Sequence, residues 1–195
     1  SEITFAGRTG GELILESNFA NNGDFTSGSG STVTFDGDFL GSGVAQSLTG
    51  DFSGGSNNSF NDVVVNSGAR VDPDDSFTEA NNLSVQIEGE LTVNGQYGVD
   101  VEDSELIFTG GTFNITAENA FFANKVRFSN SGTTTVSGVV FSDVTVTNVT
   151  VVELQNAFEI NGKLSIGNNG SEVQLASGRL TLNGDADISG PLKPQ

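Results

Sequence analysis

Ser171-Glu-Val-Gln-Leu-Ala-Ser-Gly-Arg-Leu-Thr-Leu182 is a pattern that the chain writes four times. Ser1-Glu-Ile-Thr-Phe-Ala-Gly-Arg-Thr-Gly-Gly-Glu-Leu-Ile-Leu15 is a near copy with a longer corner, and Ser104-Glu-Leu-Ile-Phe-Thr-Gly-Gly-Thr-Phe-Asn-Ile115 is a third. Ser31-Thr-Val-Thr-Phe-Asp-Gly-Asp-Phe39 is a shortened fourth. In each, a Ser leads a five-residue run in which apolar and polar residues alternate, a small or Gly-containing corner follows, and a second alternating run begins. Side chains of a strand point to opposite faces with a period of two, so each run has one apolar face. The corners are too short for a crossover helix, and Gly bends the chain at little steric cost. One unit cannot bury its own apolar face, but stacked units can.

This pattern predicts an all-β chain folded as a parallel β-solenoid, a right-handed β-helix with very little helix. The rung is about 20 residues, and strands about 4.8 Å apart give a rod about 40–45 Å long. The alternative is an antiparallel β-sandwich, which also has short strands and Gly-rich turns. Residues 1–188 form one solenoid domain in this reading. Pro191 and Pro194 mark 189–195 as a tail or linker. Ala117–Lys125 and Glu153–Phe158 alone have a helical look.

The composition fits such a rod. Of 195 residues 26 are Gly, hydrophobic content is 35%, and the aromatics are 15 Phe and one Tyr. The rarity of Pro, three residues in all, suits stacked strands whose N–H groups must donate to the next rung. There is no Cys, which removes disulfides and thiol chemistry, and no apolar run long enough to span a membrane. The absence of Met implies a processed or excised segment. A net charge of -18 opposes nucleic-acid binding, which needs bases to neutralise phosphates.

Residues 44–95 carry a more specific order. Ala45-Gln46-Ser47-Leu48-Thr49-Gly50 precedes Phe60-Asn61-Asp62-Val63-Val64-Val65-Asn66, and Gly89-Glu90-Leu91-Thr92-Val93-Asn94-Gly95 closes the block. This resembles the repeats of large secreted surface proteins and adhesins of the Bacteroidetes type. The Gly-x-Leu elements are similar to β-helical passengers of autotransporters and filamentous haemagglutinins. The resemblance implies a secreted or cell-surface, structural or adhesive role and transfers no catalytic residue. Expected partners are other copies or neighbouring domains of the same surface protein, meeting at the terminal rungs, and host or environmental glycans. The second half restates the first: Phe60–Val65 corresponds to Phe141–Val146, 81 positions on, and Gly89–Val93 to Gly162–Ile166, 73 positions on.

Candidate chemistry is sparse. Asp72, Asp74 and Asp75, with Glu79 nearby, form the densest carboxylate cluster; they are a candidate Ca²⁺ site, with a solvated acidic turn as the simpler reading. No other cofactor is expected. Asp100, Glu102 and Asp103 fit a polar outer face. Lys125 and Arg127 are the close basic pair that a β-helical polysaccharide lyase or hydrolase would need beside its carboxylates, but no spacing singles out an acid–base couple. An enzyme of that class is the alternative to a non-enzymatic role. Thr133–Thr135, Thr145, Thr147 and Thr150 would suit a flat array for ice or carbohydrate, although Thr is also the default outward residue of a sheet. Asn82, Asn114, Asn148 and Asn169 head Asn-x-Ser/Thr sequences, and Asn also suits solenoid corners.

Overall fold

The computed structural model describes the chain except residues 1–2, 5–9, 22–24, 51, 53–57, 74–83, 98–104, 117–120, 122–124, 141–142, 149 and 195. Every strand pairing among the described residues is parallel, which rules out the antiparallel sandwich. The protein is an all-β parallel β-solenoid. Its long face runs through Glu12–Leu15, Thr32–Phe35, Asp62–Val65, Glu90–Val93, Thr112–Ile115, Thr133–Val140, Val151–Ile160, Glu172–Leu175 and Leu192–Pro194. A six-stranded face runs through Ser84–Ile87, Glu105–Phe108, Lys125–Phe128, Asp143–Val146, Leu164–Ile166 and Ala186–Ile188. A four-stranded face is built from Phe19–Asn21, Gln46–Gly50, Arg70–Pro73 and Gln96–Tyr97. Ile3–Thr4, Phe25–Thr26 and Asn58–Ser59 form a fourth, three-stranded sheet.

On the six-stranded face Val85, Leu106, Val126, Val144, Leu164 and Ala186 stand in register, so successive rungs are 18–22 residues apart. Rungs on the long face stretch to 30 residues between Val33 and Val63 and 28 between Val63 and Leu91. The alternating runs place their apolar residues as expected: Val33, Phe35, Leu106, Phe108 and Val173 are buried, and Leu175 packs against the same core. Ile3 pairs with Phe25 through the backbone, and Phe5 lies outside the described residues. Phe108 meets Phe113 edge-to-face at 5.4 Å, and Phe113 in turn meets Phe128 at 5.2 Å, so the two large faces share one aromatic interior.

Hydroxyls that immediately precede long-face strands have a physical role. Ser31, Thr150 and Ser171 are buried immediately before long-face strands. Ser31 Oγ donates to the carbonyl of Gly28 (2.6 Å) and Thr150 Oγ1 to that of Thr147 (2.6 Å), each three residues back. Each hydroxyl thereby closes a tight turn at the corner by satisfying a carbonyl of the preceding residues. Small corners are equally constrained. A Cβ on Gly110 would lie 1.7 Å from the Gly89 carbonyl oxygen of the rung before. Gly138, at φ +110°, stands where the register to Val151–Ile160 shifts, an advance of two residues from Val136 to Gly138 facing one of four from Leu154 to Phe158.

Three expectations are corrected. The copies are not equivalent rungs: Glu105–Phe108 and Thr112–Ile115 span the corner from the six-stranded to the long face, whereas Glu172–Leu175 and Leu180–Leu182 span the next corner. Likewise Asp62–Val65 is on the long face and Asp143–Val146 on the six-stranded one, so the offset of 81 relates different sides. Glu153–Phe158 is strand within Val151–Ile160, and the one helix among the described residues is Phe39–Ser42. Within 189–195, Leu192–Pro194 pairs in parallel with Val173–Leu175 as an exposed strand.

Candidate functional site

The departure most specific to this chain is a finger that leaves the corner after Thr32–Phe35. Asp38 caps the short helix Phe39–Ser42 by accepting the Gly41 N–H (2.8 Å), and Gly43 ends it at φ +69°. The finger is fastened to the next rung, because the N–H groups of Phe39 (3.0 Å) and Leu40 (3.3 Å) both donate to the Gly68 carbonyl. Gln46 latches it from behind. Its side chain is buried, donates to the carbonyls of Leu15 (2.8 Å) and Ser17 (2.9 Å), and accepts the Gly37 N–H (2.8 Å). Three bonds satisfy the buried amide and tie one rung to the next.

Two open clefts flank the finger. One, of about 350 Å³, is lined by residues that include Glu16, Asn18, Asp38, Val44 and Gln46. The other, of about 180 Å³, is lined by Phe39, Leu40, Ser67, Asn94 and Gln96 among others. Leu40 is 80% and Val44 68% exposed, the two most exposed large apolar side chains among the described residues. Phe39 is held from below by Arg70, whose guanidinium carbon lies 5.1 Å from the ring centre.

Arg70 also engages the first residue of the acidic cluster. Its Nη2 lies 2.8 Å from Asp72 Oδ2, and its Nε donates to both oxygens at 2.9 and 3.1 Å. Two residues apart on one strand, the pair shares a face, and Asp72 holds an arginine. Asp74, Asp75 and Glu79 lie outside the described residues, as do Asp100, Glu102 and Asp103. Among the described residues no three His, Cys, Asp or Glu side chains are grouped to hold a metal ion.

The other candidates are dispersed. Arg127 Nη2 binds Glu105 Oε2 (2.6 Å) across one rung, so the basic pair is split between an occupied guanidinium and an exposed Lys125. Thr134 and Thr150 are buried with their hydroxyls on carbonyls, which breaks the flat Thr array. Asn114 accepts the Ser137 hydroxyl (2.6 Å), and Asn148 adopts left-handed backbone at φ 58°. Burial pushes the Tyr97 phenol far above its usual range, and the ring stacks on Phe121 at 5.2 Å, an arrangement of core packing.

Many outward polar side chains bind the adjacent rung. Asn66 donates to Asp36 (2.9 Å), Thr116 to Asn94 (2.7 Å) and Asn183 to Asn161 (2.8 Å). No protein-family model matches the chain, and neither a curated protein nor a solved structure matches it.

Proposed function

We propose that this chain is a non-enzymatic structural and adhesive segment of a secreted or cell-surface protein, similar in role to the surface repeats that its 44–95 block resembles. The observation that carries this reading is the use of outward polar groups as rung-to-rung ties. Asp36, Asn94, Glu105 and Asn161 each accept from the next rung, so side chains that would otherwise contact substrate instead stiffen the rod. Adhesive contact is assigned to the finger. Its exposed Leu40 and Val44 beside amide- and carboxylate-lined clefts offer the mixed apolar and hydrogen-bonding surface that glycans use.

A glycan array probed with the full chain and with a Leu40→Ser/Val44→Ser variant tests the assignment. Binding by the parent and its loss in the variant support it. Incubation with a polysaccharide panel is the counter-test: new reducing ends or unsaturated sugars would replace this reading with a carbohydrate-active enzyme.

A further inference from the structure

The register of the six-stranded face places charges of alternating sign in one column. Glu105 stands opposite Lys125, and Lys125 opposite Asp143. Continuing the register by one residue, Asp143 stands opposite Lys163 and Lys163 opposite Asp185. The column therefore reads minus, plus, minus, plus, minus over five rungs. Beside it, on the same face, runs a second column of Gln86, Ile107, Arg127, Thr145, Ser165 and Asp187. This face holds three of the seven bases in a chain of net charge -18. Lys125 is exposed and makes no ion pair among the described residues.

We propose that the six-stranded face is a lateral pairing surface for a second copy of this chain, laid antiparallel. The charge order selects both partner and orientation. A two-fold axis parallel to the strands, between the Lys125 and Asp143 rungs, sets Lys125 against the other copy's Asp143 and Glu105 against its Lys163. The same operation brings Arg127 to Thr145, Ile107 to Ser165 and Gln86 to Asp187, so no like charges face each other. Parallel rods related by an axis along the rod would instead set Lys125 against Arg127 and Asp185 against Asp187. A two-fold contact must be self-complementary, and the antiparallel arrangement alone of these two satisfies that.

The pairing is weak by size. Six strands about 4.8 Å apart and four residues of about 3.3 Å each give a face of roughly 380 Å² per copy. That is well below the total of about 1,200 Å² typical of stable complexes, so association belongs in the range of about 0.1–1 mM. At about 0.15 M ionic strength the screening length is about 8 Å, which confines the interaction to facing charges and mutes the acids elsewhere.

The inference builds on the structural-rod reading, and its test is independent of glycan binding. Sedimentation equilibrium of the full chain at up to about 1 mM should show a reversible monomer–dimer equilibrium. Lys125→Glu/Lys163→Glu should weaken it by about tenfold or more, with an unchanged β-sheet spectrum and melting temperature within a few degrees. Mixing that variant with Glu105→Lys/Asp143→Lys should restore association as a mixed pair. For orientation, Ile107→Cys and Ser165→Cys chains treated with a bis-maleimide spanning about 10 Å should link to each other more than to themselves. A strict monomer, an undiminished dimer of the charge variant, or dominant linkage of Ile107→Cys to itself overturns the proposal. The glycan array judges the adhesive reading whichever way this falls.

Discussion

The long face and the six-stranded face stand on the same aromatic interior and obey the same parallel register, yet their outer surfaces follow different rules. On the long face Glu12, Asp62, Glu90, Glu153, Glu159 and Glu172 point outward against one base, Lys193. Asp62 and Glu90 occupy adjacent rungs, and Asp62 Oδ1 accepts the Glu90 N–H (2.9 Å). On the six-stranded face Lys125 is opposite a carboxylate on each side. The difference teaches that register here is set from inside. A one-residue slip would expose every apolar residue of a strand whatever the outer charges were. The outer charges are thereby free to differ between the two faces without disturbing the stack.

The largest expected effect probes the shared interior. Phe108→Ala beneath the six-stranded face and Phe113→Ala beneath the long face should each cost about 3–5 kcal/mol in denaturant unfolding, because both rings are fully buried and touch each other. Markedly unequal losses would mean that the faces do not rest on one core. Next in size is the corner joining them. Gly110→Ala drives a methyl into the Gly89 carbonyl and should cost about 1–3 kcal/mol, whereas Gly111→Ala, with open space around it, should cost less.

The outer surfaces themselves predict small effects of opposite sign. Glu90→Gln relieves a like-charge neighbour and should raise the melting temperature by about 1–2 °C, while Lys125→Gln removes an attraction and should lower it by about as much. Shifts of the same sign would erase the contrast between the faces. The smallest effect is at the end of the long face. The hydrogen bond from Lys193, helped by Gln174, holds the Glu172 carboxyl below the usual carboxylate range. Its folded-state pKa is depressed, so its contribution is fully present above the ordinary carboxylate pKa and is lost as pH falls through the lower, folded-state one. Protection of the residue-193 amide, taken relative to its intrinsic exchange rate, should fall in acid, and Lys193→Gln should abolish that pH dependence of the Leu192–Pro194 pairing.

The stacking itself was legible in the sequence, since alternation at Val33/Phe35 and Leu106/Phe108 depends only on the period of a strand. Which side of the rod each copy occupies was not, because a strand, a small corner and a second strand fit any turn of a multi-sided solenoid. The finger was readable but missed: Phe39 was counted as the end of an alternating run, although Asp38 before it and Gly43 after it are helix-capping residues. Gln46 stood in a recognised motif, but its latching of two rungs depends on contacts 29 and 31 residues away. The Arg70–Asp72 pair could have been inferred from their two-residue spacing on one strand, and it weakens the Ca²⁺ reading of Asp72. The charge column was invisible in the chain because rung spacing varies from 18 to 22 residues and aligns the charges only once register is known.

That register is most directly tested by a pair of disulfides in a chain that has no cysteine of its own. Thr92 and Asn114 are direct partners in adjacent parallel strands and both point outward, so Thr92→Cys/Asn114→Cys should oxidise quantitatively within the monomer. Thr92→Cys/Thr112→Cys is offset by two residues, about 8 Å between Cα atoms, beyond the reach of an unstrained disulfide. Closure of the first pair with the second left reduced is the predicted result; closure of the second in preference to the first would contradict the in-register parallel stack.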